Sequence, residues 1–164
     1  MTNFLQNNNR KLIKSFYGYA SVFNYVDVHM DVILPGAFDL GNDPPLPFLW
    51  QHDYKKPIGK VTAYCSDKMG LMVQGVIFLE LKQAAEAEIL IANAVTAHLS
   101  IGFEAVDYHY EDNIRFISAV KLYEVSVVTF PANNRTNVNI MDECEHLQLA
   151  LGKANRALAM HNGG

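Results

Sequence analysis

Residues Leu122-Tyr123-Glu124-Val125-Ser126-Val127-Val128-Thr129-Phe130 make a run rich in β-branched and aromatic side chains, apolar except at Glu124 and Ser126. That content marks a strand, and a strand places the two polar residues on one face, two positions apart. A carboxylate in so apolar a setting has to be paired or hydrogen-bonded, because burying it alone is too costly. Pro131-Ala132-Asn133-Asn134 stops the strand. Any fold for this chain must therefore bury a carboxylate and supply it with a partner.

A second constraint lies at Ala97-His98-Leu99-Ser100-Ile101-Gly102-Phe103, where an Ala-rich helical stretch gives way to an apolar strand. Leu99, Ile101, Phe103 and Ala105 alternate with Ser100, Gly102, Glu104 and Val106, so Ser100 and Gly102 share a face. Gly102 removes a side chain beside the hydroxyl, and glycine in a strand often marks close approach of another backbone. Ser100 is the candidate working residue. Its ordinary alternative is a strand serine that is solvated or bonded to backbone.

The rest of the chain supplies short strands and turns. Ser15 to Phe23 has strand content with Gly18 as a bulge candidate, Leu46 to Asp53 is a short strand with a polar end, and Ile58 to Cys65 and Gly70 to Leu79 form a hairpin around Ser66-Asp67-Lys68-Met69-Gly70. Asn24 to Pro47 is a long ordered loop dense in Asp, Pro and Gly. Leu81 to Ala97 predicts a helix whose uncharged end, from Ile89, is surrounded by protein, either the core or a second subunit. His109 to Asn113 is a polar turn, followed by two strands, Ile114 to Ala119 and Leu122 to Phe130. Met141 to Met160 is a second helix with Leu147, Leu151, Ala154 and Leu158 as its apolar stripe. Short, mostly antiparallel strands with two helices predict a mainly β (α+β) fold, a closed antiparallel β-barrel flanked by helices.

At 164 residues, 50% hydrophobic and 18% charged, the chain is the size of one domain with a real core. A net charge of -4 offers no field for phosphate backbones, so protein or a small molecule is the expected partner and nucleic acid is not. The polar, Asn-rich start lacks the apolar run of a signal peptide, and no segment is apolar and long enough to span a bilayer. A cytosolic protein without membrane attachment is expected. Cys65 and Cys144 are too few for a disulfide scaffold and read as free thiols.

Serine nucleophiles need a base within hydrogen-bond reach, and the base needs a group to hold its tautomer. His52, Ser100 and Glu124 can supply those parts, each in or beside a strand. His98 is the runner-up for the third part, its commoner use being an interaction with a helix C-terminus. His29 with Asp27, Asp31, His52 and Asp53 can also be read as a metal cluster, although no zinc-motif spacing is present and the Asp-rich loop lacks the calcium-loop order of ligands. The ordinary alternative for His29, and the reading of His109, His146 and His161, is a solvated surface histidine.

Five ordered blocks then carry a resemblance. Gly18-Tyr19-Ala20-Ser21-Val22-Phe23, Pro35-Gly36-Ala37-Phe38, Trp50-Gln51-His52-Asp53 with Pro57-Ile58-Gly59, Leu99-Ser100-Ile101-Gly102-Phe103, and Glu124 through Asn133 resemble the prohead maturation proteases of tailed bacteriophages, distant relatives of the herpesvirus assemblins. The resemblance implies a serine endopeptidase on an assemblin-like β-barrel, with no cofactor and no metal, that trims scaffold or delta-domain segments of capsid proteins and processes itself. Ser100 would be the nucleophile, His52 the general base and Glu124 the orienting third member, in a region where assemblins use a histidine. Gly102 and Phe103 beside the nucleophile would meet the substrate. Residues 1–14 would then be a flexible arm, 15–140 the protease domain including helix 81–97, and 141–164 a helix packed on the domain or on a partner. The expected partners are the major capsid protein with its scaffold or delta domain and further copies of the chain, inside the procapsid in the host cytoplasm. Members of the family often carry a longer tail, so a truncated or self-trimmed chain is expected. The alternative is a catalytically silent procapsid protein that keeps the fold and assembles through its apolar helix.

Overall fold

The computed structural model describes residues 12–39 and 46–141. The predicted N-terminal arm and the predicted helix from Met141 to Met160 lie essentially outside them. In chain order the strands are β1 (Ile13–Val22), β2 (Asp31–Ile33), β3 (Pro47–Trp50), β4 (Asp53–Ser66) and β5 (Gly70–Phe78). A helix, α1 (Lys82–Ala92), precedes β6 (His98–Glu111), β7 (Ile114–Val128) and β8 (Asn139–Ile140).

One strand organises the rest. Along one edge β7 pairs antiparallel with the whole of β6, from His98 opposite Val128 to Glu111 opposite Ile114. Its other edge takes β2, then a bridge from Phe38 to Val120, then β3, all parallel. The expected mostly antiparallel pattern is thus mixed at β7. It resumes through β3, β4, β5, β1 and β8.

The closed barrel is not what forms: the sheet of the described residues is open. Its order is β2-β7-β3-β4-β5-β1-β8 with β6 on β7, and no ladder joins β6 to the far end. The cause is the segment before β8, which lies between the two ends. Asn137 N–H bonds the Tyr19 carbonyl at 3.2 Å, and Val138 N–H bonds the Ala97 carbonyl at 3.0 Å. That segment takes the hydrogen bonds that closure would have given to β1 and β6.

Several boundaries differ from expectation for local reasons. The two strands predicted over Ile114 to Phe130 are one, β7, since neither Gly nor Pro interrupts them and the shifts of register are taken up against β6. The polar turn shrinks to Asp112-Asn113, both at positive φ (46° and 65°), which suits a tight hairpin. The helix ends at Ala92 rather than Ala97. Asn93 Nδ2 bonds the Ile89 carbonyl at 2.8 Å and Ala94 turns to φ 55°, so the chain leaves the helix there. Among the described residues its uncharged end is only partly enclosed: Ile91 and Thr96 are buried, while Ile89 and Val95 are 49% and 60% exposed. The helix buries Ala84, Ala87 and Ile91 against the sheet.

The core lies between the curled faces of the sheet, with Phe16 stacked on Phe48 at 4.0 Å and Ile58, Leu71, Ile77, Leu99, Ile117 and Val125 fully enclosed. In β1 the shift of register falls between Tyr19 and Ser21 rather than at Gly18. A bulge there turns Ala20 and Ser21 inward together. Both reach the cavity described next.

Candidate functional site

The site is built on β7 from both sides. Ser126 stands opposite Ser100 of β6 and opposite Leu49 of β3, and Glu124 stands opposite Gly102. Partners in register share a face, as do residues two apart, so Ser100, Gly102, Glu124 and Ser126 form one polar patch on an apolar sheet. Strands two apart in a sheet are separated by roughly 10 Å. A residue entering from the β3 side must therefore reach back over β7 to meet Ser100.

His52 is placed to do so. Trp50 pairs with Asp53, so Gln51 and His52 are a two-residue turn between β3 and β4, both with positive φ (54° and 59°). Left-handed backbone is unfavourable for residues with a Cβ, costing roughly 1–3 kcal/mol each, and it persists only where the surroundings hold it. Here β7 holds it. Gln51 N–H bonds the Val127 carbonyl at 3.0 Å, and the Gln51 side chain exchanges two bonds with Thr129, Nε2 to Oγ1 at 2.8 Å and Oε1 from the backbone N–H at 3.2 Å. His52 N–H donates to Ser126 Oγ at 3.1 Å.

The side chains complete the lock. His52 Nδ1 is 2.7 Å from Glu124 Oε1, and the Ser126 hydroxyl donates to Glu124 Oε2 at 2.6 Å. An ionised Glu124 only accepts, so the neutral imidazole carries its proton on Nδ1 and keeps a lone pair on Nε2. The carboxylate is 1% exposed and the imidazole 43%. The buried carboxylate thus has both oxygens occupied, while Nε2, without a partner among the described residues, belongs to the more exposed member of the pair.

A cavity of about 320 Å³ lies in the seam between β1 and β6, and both His52 and Ser100 line it. Its walls include Ala20, Ser21, Leu99, Ile101 and Phe103, with Tyr25, Asp27, Val28, His29, Asp31, Phe130 and Asn133 around them. Ser100 is 7% exposed, and among the described residues no hydrogen bond joins its hydroxyl to the imidazole. Catalytic hydrogen bonds are commonly looser before substrate arrives. Asp31 is held in the wall by a bidentate pair with Arg115, at 2.8 and 2.5 Å.

The other candidates fall elsewhere. His98 directs Nδ1 to the Thr136 carbonyl at 2.7 Å, and Glu124 is the partner of His52. Phe103 lines the cavity, but Gly102 does not. The space beside Gly102 is filled by the Glu124 side chain: a Cβ would collide with Oε1 and come within 2.9 Å of Cγ. His29 reaches the cavity wall, and among the described residues no three His, Cys, Asp or Glu side chains gather as a metal site. Sequence reasoning gave no part to Ser126, Gln51 or Thr129. For Ser126 a signal existed, its place on the same face as a carboxylate that needs donors.

The sequence profile described as caudovirus prohead serine protease matches residues 3–149. The prohead protease of Enterobacteria phage HK97 is 32% identical over 140 residues, covering 81% of this chain and 62% of that protein. The prohead protease of Escherichia phage T5 is 34% identical over 96 residues, covering 56% of this chain and 44% of that protein. The chain thus spans about three fifths of the first relative and under half of the second. Among solved structures, the protease of Kaposi's sarcoma-associated herpesvirus, in complex with a hexapeptide phosphonate inhibitor, superposes with a TM-score of 0.54 at 16% identity, over 79% of this chain and 66% of that one. That likeness is one of fold. With the profile matched over most of its length, the chain belongs to the caudovirus prohead serine protease family.

Proposed function

We propose that the chain is a serine endopeptidase that cleaves scaffold or delta-domain segments of phage capsid proteins during procapsid maturation, and that it also processes itself. The observation that carries this reading is the imidazole of His52 held through Nδ1 by a buried carboxylate, in a residue that lines the same cavity as Ser100. In the proposed reaction His52 Nε2 takes the Ser100 proton as Oγ attacks a peptide carbonyl. Glu124 keeps the tautomer and stabilises the imidazolium. The protonated ring then gives its proton to the leaving amine, and water, activated by the same nitrogen, releases the acyl group from Ser100. Family membership and the named activity of the HK97 and T5 relatives support capsid protein as the substrate class.

The test is cleavage of the capsid protein together with labelling by a fluorophosphonate. Wild-type protein is expected to label on Ser100. Ser100→Ala and His52→Ala are each expected to lower cleavage on the order of 10⁴-fold or more, as when a nucleophile or base is removed. Glu124→Gln should leave a reduced but measurable rate. Cleavage by Ser100→Ala at the wild-type rate would end the proposal. Since no metal takes part in this mechanism, a chelator is expected to leave the rate unchanged.

A further inference from the structure

Resting on the reading of His52 as proton acceptor, we infer that Ser126 is a positioning residue, whose hydroxyl holds Glu124 in place for His52 and ties the turn that carries His52 to β7. Three observations support it. The Ser126 side chain is completely buried, so its hydroxyl does not meet solvent. That hydroxyl uses its donor on Glu124 Oε2 at 2.6 Å and a lone pair on the His52 N–H at 3.1 Å, so one atom touches both members of the pair. And the N–H it accepts belongs to a residue in left-handed backbone, a conformation that needs such support.

The physical consequence is specific. Glu124 Oε1 is taken by the imidazole, and among the described residues Ser126 is the donor on Oε2. Replacing the hydroxyl by a methyl group leaves a buried carboxylate oxygen without a donor and orphans the His52 N–H. A donor to a carboxylate favours the ionised state and spreads its charge. Its loss makes Glu124 easier to protonate and leaves a more concentrated negative charge beside the imidazole; both effects draw proton uptake by the His52–Glu124 pair toward higher pH. Proton uptake at that step blocks the lone pair on Nε2 or removes the anion that stabilises the imidazolium. The other titratable groups around the pair are Tyr25, Asp27, His29 and Asp31 on the cavity walls, the last paired with Arg115, and Asp53 paired with Lys56. Each remains in place when Ser126 is replaced.

The experiment compares wild type, Ser126→Ala and Ser126→Thr, the last of which keeps the hydroxyl. Two readouts are taken: the rate of fluorophosphonate labelling against pH, and the titration of the His52 imidazole by NMR of protein carrying ¹⁵N-histidine. Ser126→Ala is expected to label about 10- to 100-fold more slowly, the range of a hydrogen bond to a charged group. Its acid limb and its imidazole titration should both move to higher pH than in wild type. Ser126→Thr should recover most of both. Where the alanine variant proves too unstable to measure, Ser126→Cys, with a weaker donor of similar size, should shift both readouts the same way by less. An unmoved titration overturns the inference, whether the rate is unchanged or falls, and so does a threonine variant no better than alanine. The titration does not depend on Ser100 chemistry. If wild-type protein fails to label but the His52 titration rises in Ser126→Ala, the protease reading falls and the positioning role stands.

Discussion

At the scale of single residues, Gly102 shows how close packing and chemistry coincide. It has ordinary strand backbone, and its lack of a Cβ makes room for the Glu124 carboxylate. In Gly102→Ala the carboxylate has to swing away from the oxygen position that meets His52 Nδ1. The expected result is a drop in labelling and cleavage of about 10- to 100-fold. The loss of stability in urea unfolding should be only about 1–2 kcal/mol, because overpacking is partly offset by the better strand propensity of alanine. A variant that keeps wild-type activity would show that Glu124 can move without consequence. The need for a partner at Glu124 was legible in the sequence, since a carboxylate within an apolar strand demands one. The reason for Gly102 was not. Alternation shows that two residues share a face, but register across strands decides which side chain fills the gap, and the sequence predicted an approaching substrate where Glu124 lies.

At the scale of elements, the β4–β5 hairpin was legible because its turn chemistry is local. Asp67 accepts from the N–H groups of Met69 and Gly70, at 2.7 and 3.1 Å. The Tyr19 hydroxyl, from β1, donates to the same carboxylate at 2.6 Å. This bond pushes the Tyr19 phenol up to about 12 and holds the Asp67 carboxyl below its usual range. The raised phenol contributes stability that is present below its unfolded value near 10 and lost as pH rises toward 12. The lowered carboxyl contributes stability that is present above the ordinary carboxylate range and lost as pH falls through it. The difference in Tm between wild type and Tyr19→Phe is therefore expected to be flat through neutral pH and to shrink at both extremes. A difference that does not vary with pH would show that the bond contributes nothing. The β3–β4 turn was less legible, because Gln51-His52 carries none of the Asn-Gly or Asp-Gly chemistry that usually announces such a turn. Its conformation is imposed by Ser126 and Val127 of β7 and by Thr129 just past the strand's end, far away in sequence.

At the scale of the whole molecule, the fold class could be read from the spacing of strands, and the closure of the sheet could not. Closure is settled by where a few backbone groups of Thr136 to Val138 find partners, and no periodicity encodes that. The parallel pairings of β2 and β3 on β7 were hidden for a similar reason, since the loops joining them leave direction open. One ion pair ties this end of the sheet together. Asp31 at the start of β2 is 6% exposed and carries Arg115 of β7 on both of its oxygens. Arg115→Ala would strand a buried carboxylate and is expected to cost about 3–5 kcal/mol in urea unfolding. A loss below about 1 kcal/mol would mean that solvent reaches Asp31 easily.

The seam between β1 and β6 has an implication for when the molecule can act. The β6–β7 hairpin brings Ser100, Glu124 and Ser126 together by itself, from neighbouring stretches of chain. The imidazole arrives only with β3, and the opposite wall of the hollow only with the other margin of the sheet, through contacts distant in sequence. Such long-range pairings come late in folding. On the proposed reading, a nascent or half-folded copy is inert toward its neighbours, and hydrolysis begins only in a molecule that has finished assembling itself.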